Sequence, residues 1–260
     1  MNQSEKATRF AELHVKDVAP LLLYNAWDAG SAKAIVEAGA PAIATSSWSV
    51  AEAHGYRDGE DIPLGLAEQI LARIASTVDV PVSVDFEGGY SEDNTELADN
   101  ATELIESGVI GINFEDRVVK ETGLYDIGRQ ADRILAIRTA AEQRNINLFI
   151  NARTDLFLGQ GTDPAGSITE AIQRSKAYAD AGASGFFIPG LQDETLIGRI
   201  CDGVALPVNV MVTDGVPSVK RLAELGVARV SWGPISYLQA MAALEQQAKE
   251  ALSSRVGHTT

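Results

Sequence analysis

Carboxylates recur where short apolar runs end. One run closes as Val84-Asp85-Phe86-Glu87-Gly88-Gly89, a second as Asn113-Phe114-Glu115-Asp116 and a third as Asn151-Ala152-Arg153-Thr154-Asp155. If each run is a strand, period-two alternation sets Asp85 and Glu87 on one face, and the glycines let backbone or ligand approach closely. Asp85, Glu87 and Glu115 gathered at one mouth would repel one another unless a proton or a hard divalent cation compensates. Mg2+ suits oxygen-only surroundings, keeps several waters and leaves positions for a chelating substrate, with Mn2+ as the alternative. The plainer reading is that these groups cap helices or pair with Arg117, Lys120 and Arg153. A further run leads into Thr45-Ser46-Ser47-Trp48-Ser49, whose hydroxyl and N–H groups suit a substrate carboxylate. Such residues also serve ordinary loops and helix caps. Asp28 is equally a helix cap, His54 a lone loop histidine and Cys201 a core residue of a helix.

Groups at strand ends converge only if the strands are parallel and neighbours. Eight apolar runs fit that requirement, at residues 21–25, 42–46, 80–85, 110–115, 147–151, 185–188, 208–212 and 228–231. They are apolar throughout, as in parallel strands buried on both faces. Amphipathic stretches of helical spacing alternate with them, at 31–38, 64–77, 95–107, 127–143, 167–181, 193–201, 218–225 and 235–252. Gly39, Gly108, Gly182 and Gly226 stand where helices commonly end. Eight such units without a linker predict one α/β domain over 1–260, a (β/α)8 TIM-type barrel with its site at the strands' C-terminal ends. An open doubly wound sheet is the alternative, but no GxGxxG follows an early strand. Residues 1–20 form an N-terminal extension, read as a short lid helix around 4–14, and 235–260 form a last helix and tail. The connection from Trp48 to Pro63 is long and polar, and the loop 117–125 is predicted to be mobile until substrate closes it.

Composition narrows the partners. The 260 residues are 45% hydrophobic and 22% charged, a globular mixture able to bury a core. A formal charge of −15 disfavours nucleic acid and anionic membranes, and it makes an anionic substrate awkward unless a local cation reverses the field. One cysteine excludes a disulfide framework. The first residues carry no apolar segment of the secretory kind, so a cytoplasmic location is expected.

The ordered strings Trp27-Asp28-Ala29-Gly30-Ser31, Thr45-Ser46-Ser47, Gly55-Tyr56-Arg57-Asp58-Gly59, Asp85-Phe86-Glu87-Gly88-Gly89-Tyr90, Gly111-Ile112-Asn113-Phe114-Glu115-Asp116 and Asn151-Ala152-Arg153-Thr154-Asp155 resemble the isocitrate lyase/phosphoenolpyruvate mutase superfamily. The resemblance runs from about residue 20 to 233. It implies Mg2+ held directly by Asp85, with Asp58, Glu87 and Glu115 acting mostly through water. It places a substrate carboxylate on the backbone of Ser46 and Ser47, and Arg153 on the carboxylate or enolate. Tyr24, Trp48 and Asn209 stand with them as substrate contacts. It also implies a last helix exchanged between partners, hence a homodimer or homotetramer. The lyases' Lys-Arg-Cys-Gly-His loop is absent; at 116–126 the chain offers Lys120 and Tyr125 instead. Lys120 is the leading candidate to move a proton, with Tyr125 or a water held by Glu115 as alternatives. The expected activity is an Mg2+-dependent lyase or decarboxylase cleaving a C–C bond of a small 2-oxo or 2-hydroxy carboxylate through a metal-stabilised enolate. The alternatives are a P–C mutase or hydrolase on a phosphonopyruvate-like acid, and a non-catalytic oxo-acid-binding barrel.

Overall fold

The first apolar run becomes two strands because it changes partner at Tyr24. In the computed structural model, which describes residues 1–15, 19–159 and 162–253, β1 (Leu21–Leu23) pairs with β9 (Arg229–Ser231), whereas β2 (Asn25–Ala26) pairs with β3 (Ile43–Thr45). Between them run β4 (Val82–Asp85), β5 (Gly111–Glu115), β6 (Phe149–Arg153), β7 (Gly185–Phe187) and β8 (Val208–Met211). All neighbours are parallel, in the order β1-β9-β8-β7-β6-β5-β4-β3-β2, so one continuous segment closes a TIM-type barrel. Asn25 ties that closure together. Its amide donates to the Thr45 carbonyl at 2.7 Å, and its Oδ1 accepts the N–H groups of Trp232 and Gly233 at 3.0 and 2.9 Å. The expected tail at 254–260, and residues 16–18 of the N-terminal extension, lie outside the described residues.

Among the described residues ten α-helices accompany the strands: α1 (Gln3–Glu12), α2 (Ala29–Glu37), α3 (Ser47–Ala53), α4 (Leu64–Thr77), α5 (Asn94–Glu106), α6 (Ile127–Gln143), α7 (Pro164–Asp180), α8 (Glu194–Gly203), α9 (Val219–Glu224) and α10 (Ile235–Ser253). Helix α3 sits where a loop was expected. Ser46 caps it by accepting from Ser49 N, and its Val50 and Ala51 bury against Ile62 and Ala67, giving the polar connection a small core of its own. No helix among the described residues is long and apolar enough to cross a membrane.

Helix α1 corrects the lid expectation. Phe10 is fully buried, its ring 5.3 Å from that of Phe149, and His14 stacks on Phe149 at 4.0 Å. Phe149 and Gly111 begin β6 and β5, so α1 plugs the N-terminal end of the barrel, opposite the mouth. A Cβ at Gly111 would stand 3.1 Å from the Phe10 ring, so glycine is what admits the plug. The physical reason is simple: the strand starts leave an apolar hole, and the buried face of α1, Ala7 and Phe10, fills it.

The strands are also less apolar than they read. Inside the barrel, Asn151 donates to Asn113 at 2.9 Å and to Asn209 at 3.0 Å, and Arg229 donates to Asn113 at 3.1 Å. Asn209 is therefore spent on this interior layer, donating onward to Val210 O and Arg229 O. That corrects its expected place among the substrate contacts.

Candidate active site

The strand ends enclose a cavity of about 160 Å³ at the barrel mouth, reached by Ser46, Ser47, Trp48, Asp58, Asp85 and Arg153. Asp85 ends β4 and is locked from both sides. Its N–H donates to Thr45 Oγ1 at 3.0 Å, and its Oδ2 accepts from Ser47 N at 3.2 Å and Ser47 Oγ at 2.7 Å. Its Oδ1 is buried and has no hydrogen-bond partner among the described residues. Asp58, brought to the rim by the long connection, lies 3.5 Å from Ser47 Oγ. Loss of water there and the charge of Asp85 raise the Asp58 carboxyl above its ordinary pKa.

Arg153 ends β6 with its guanidinium already committed. Nε and Nη2 meet Asp155 at 2.6 and 3.0 Å, and Nη1 meets Glu115 at 2.8 Å. A guanidinium has five N–H donors, so these three contacts leave two for a ligand. Glu115 is 4% exposed, and burial lifts its carboxyl well above the usual range against the pull of Arg153. Beneath them lies a group that sequence reasoning missed. Fully buried Asp116 accepts from Asp155 N at 3.0 Å, Arg174 Nη1 at 3.1 Å and Tyr178 OH at 2.9 Å. Arg174 and Tyr178 are four residues apart on α7, the one signal in the sequence that they share a face.

Glu87 departs from the alternation argument. β4 stops at Asp85, and Glu87 sits in the following turn with φ 52°. Its carboxylate therefore turns to accept Glu60 N at 2.9 Å, while Glu60 accepts Tyr90 N at 2.8 Å. Glu60 and Tyr90 are also left-handed, at φ 57° and 61°. The result is a reciprocal clamp of carboxylates and amides joining the long connection to the β4 turn. Burial, then Asp85 and Asp58, push Glu87 up to about 8.

Two expected contacts lie elsewhere. Tyr24 shares the outward side of β1 with exposed Leu22, bonds Gln239 through its hydroxyl at 2.9 Å and lines an outer groove. Lys120 is exposed on a hairpin-like loop, closed by the Arg117–Leu124 bridge and by Val118 N donating to Gly123 O. It lines a separate small cavity with Glu60, Tyr90 and Tyr125. Val119 docks against Gly88, where a Cβ would come within 2.7 Å of it.

Among the described residues, no three or more His, Cys, Asp or Glu side chains form a metal-holding group. Asp85, Glu87 and Glu115 do come near enough for their charges to act on one another, but they do not aim at one point, because Glu115 turns to Arg153 and Glu87 to the Glu60 amide. Asp85 alone fits a cation. A buried carboxylate oxygen without a donor, beside further carboxylates, is the donor chemistry of Mg2+ held by one protein ligand and waters.

Residues 10–252 match the family described as phosphoenolpyruvate phosphomutase. A crystal structure from Burkholderia cenocepacia J2315 with a provisional phosphonomutase name is 42% identical, with a TM-score of 0.92 over 96% of this chain and 100% of that one. An uncharacterized protein of Mycobacterium tuberculosis (strain ATCC 25618 / H37Rv) is 38% identical over 88% of this chain and 83% of its own length. The 2-methylisocitrate lyase of Bacillus subtilis (strain 168) is 29% identical over 82% of this chain and 69% of its own.

Proposed function

The chain belongs to the phosphoenolpyruvate phosphomutase family, and from that premise we propose an enzyme that cleaves a carbon–carbon bond of a small 2-oxo or 2-hydroxy carboxylate with Mg2+, or Mn2+, at Asp85. The carrying observation is the buried, unpartnered Oδ1 of Asp85 in a mouth cavity that also holds Arg153. A divalent cation bound there supplies positive charge for the substrate's carboxylate and carbonyl oxygens. It answers the anion problem posed by the −15 envelope.

The chain's own residues divide the remaining work. Ser47 fixes the orientation of Asp85 through its hydroxyl and N–H. Asp155 and Glu115 hold the Arg153 fork in place, so its two remaining donors face the charge that grows on the former carbonyl oxygen as the bond breaks. Asp116 keeps Asp155 in register through its N–H. Lys120 stands outside the cavity beside Glu60, so its proposed proton transfer requires the 117–125 loop to move over the mouth. The test is a turnover assay of 2-oxo and 2-hydroxy acids with and without Mg2+. Metal-dependent cleavage of a C–C bond supports the reading. Turnover confined to phosphonopyruvate moves it to P–C chemistry, and tight binding without any product moves it to a carrier.

Helix α10 is proposed to exchange between two copies. Leu238, Leu244 and Leu252 along it are 48%, 59% and 65% exposed, a costly display for a helix facing only water. An apolar groove of about 900 Å³, lined by Leu21, Leu22, Ile35, Ala38 and Trp232, offers a second copy's α10 a place to bury. Light scattering at micromolar concentration should give at least a dimeric mass, and a monomeric mass would contradict the exchange.

A further inference from the structure

Two amide side chains line the mouth cavity, those of Asn25 and Asn113, and they differ in what they have left to offer. Asn25 uses both ends on the barrel closure. Asn113 uses its oxygen twice, accepting from Arg229 Nη2 at 3.1 Å and from Asn151 Nδ2 at 2.9 Å. Its own Nδ2 donates to no group among the described residues. We propose that this Nδ2 is a substrate contact, donating to an oxygen of the acid head that a cation at Asp85 holds. The inference rests on the cation reading of Asp85 and adds to it a residue that otherwise belongs only to the interior amide layer.

Which end of an amide faces a cavity is settled by its hydrogen-bond partners. Here one partner is a guanidinium, which donates and never accepts. Arg229 is 1% exposed, and burial lowers its pKa to about 9, so it stays charged at neutral pH. The Asn113 atom that meets it is therefore the oxygen, and the amino end is the one left to the cavity. Turning the amide over would set N–H against N–H at Arg229. The same contact improves the donor, because an amide whose oxygen accepts from a buried cation is polarised.

Strand register puts this donor beside the proposed cation ligand. Asp85 and Asn113 are paired positions on β4 and β5, and Glu115 pairs with Arg153 two residues further along. Positions two apart on a strand share a face, so Asn113 points into the barrel below Glu115, at the level of Asp85. An acid head at Asp85 would thus meet the free donors of Arg153 at the rim and the amide of Asn113 at the base of the cavity. A neutral donor suits that base, since its hydrogen bond to an anionic oxygen is charge-assisted and places no second cation beside the metal.

The test uses oxalate, an acid head without a tail, titrated by calorimetry into the full chain with Mn2+ present; Mn2+ is also titrated alone. Asn113→Ala should weaken oxalate about tenfold, the scale of one hydrogen bond to a charged group, and leave Mn2+ affinity within about twofold. Asn113→Asp keeps an oxygen for Arg229 and Asn151 and turns the cavity-facing donor into an anionic acceptor. It should hold or raise the melting temperature, retain Mn2+ and weaken oxalate about a hundredfold or more. Oxalate bound within about twofold of wild type by Asn113→Ala would overturn the contact and leave the cation site standing. Should that variant fail to fold, oxalate held at wild-type affinity by Asn113→Asp would do the same. A loss of Mn2+ affinity in Asn113→Ala matching its loss of oxalate would make Asn113 a support of Asp85 and would also overturn the contact. Failure of the wild type to bind oxalate with Mn2+ present would overturn both readings.

Discussion

At the N-terminal end of the strands, Phe10, His14 and Phe149 stack into a dry floor, while at the C-terminal end Asp58, Asp85, Glu87 and Glu115 crowd one small mouth. The floor removes charge: burial and the neighbouring Arg229 lower the His14 pKa to about 3, so the ring stays neutral. The mouth crowds acids instead: burial first, and neighbouring carboxylates after it, raise Asp58, Glu87 and Glu115 toward their neutral forms. Backbone strain follows the same division. Glu60, Glu87 and Tyr90 all adopt left-handed φ around the mouth, in a conformation that costs non-glycine residues of the order of 1 kcal/mol or more each. Strain and like charge are kept where chemistry needs them, and the packing of the floor offsets their cost. The difference teaches that stability and function are separable here by barrel end.

The sharpest way to break that division is Asp85→Ala. It should lower kcat/KM for a turned-over acid by about 10^3 or more while the melting temperature holds or rises, since a crowded carboxylate is removed. Full turnover retained, or a melting temperature that collapses, would contradict the assignment of ends. The opposite end is probed by Phe10→Ala, which should cost about 3 kcal/mol or more in denaturant unfolding, with kcat/KM of the folded enzyme unchanged. Lys120→Ala should lower kcat/KM by about 10^2, the scale of a positioned acid–base group, without a change in stability. A variant within about twofold of the parent would make Lys120 a partner of Glu60 only, and would pass the proton to Tyr125 or to a water at Glu115.

The smallest effect concerns pH. The folded His14 titrates near 3 and the unfolded near 6.5, so between those values only the unfolded chain gains this proton. Its contribution to stability is therefore constant above about 6.5 and becomes increasingly unfavourable as pH falls toward 3. His14→Leu should flatten that part of the stability curve, measured as the difference between wild type and variant at each pH. A difference that does not change with pH would mean that His14 charges freely in the floor.

Much of this barrel was legible in the sequence because its signals are local. Buried parallel strands read as apolar runs, and helices α4 and α6 begin and end where periodicity sets them. What escaped was decided by long-range geometry. The lid reading of 4–14 failed because an amphipathic helix fits either end of a barrel, and only the gap above Gly111 selects the floor. The pairing of Asp85 with Glu87 failed because the strand stops at Asp85, two residues short of Glu87, so alternation does not apply. Asn209 lies on β8 and Tyr24 at the break between β1 and β2, yet the first faces the interior amide layer and the second the outer groove. Asp85, Ser47, Glu115 and Arg153, by contrast, meet where strand-end logic put them, and Asp58 joins them from the long connection, which only the resemblance marked.

The central claim is that Asp85 makes the mouth a cation site. Mn2+ titrated into the full chain, with free Mn2+ followed by electron paramagnetic resonance in the presence and absence of oxalate, tests it most directly. The account predicts one site per chain, tightened by oxalate and lost in Asp85→Ala. Mn2+ binding that is absent from the wild type, or unchanged in Asp85→Ala, would contradict it.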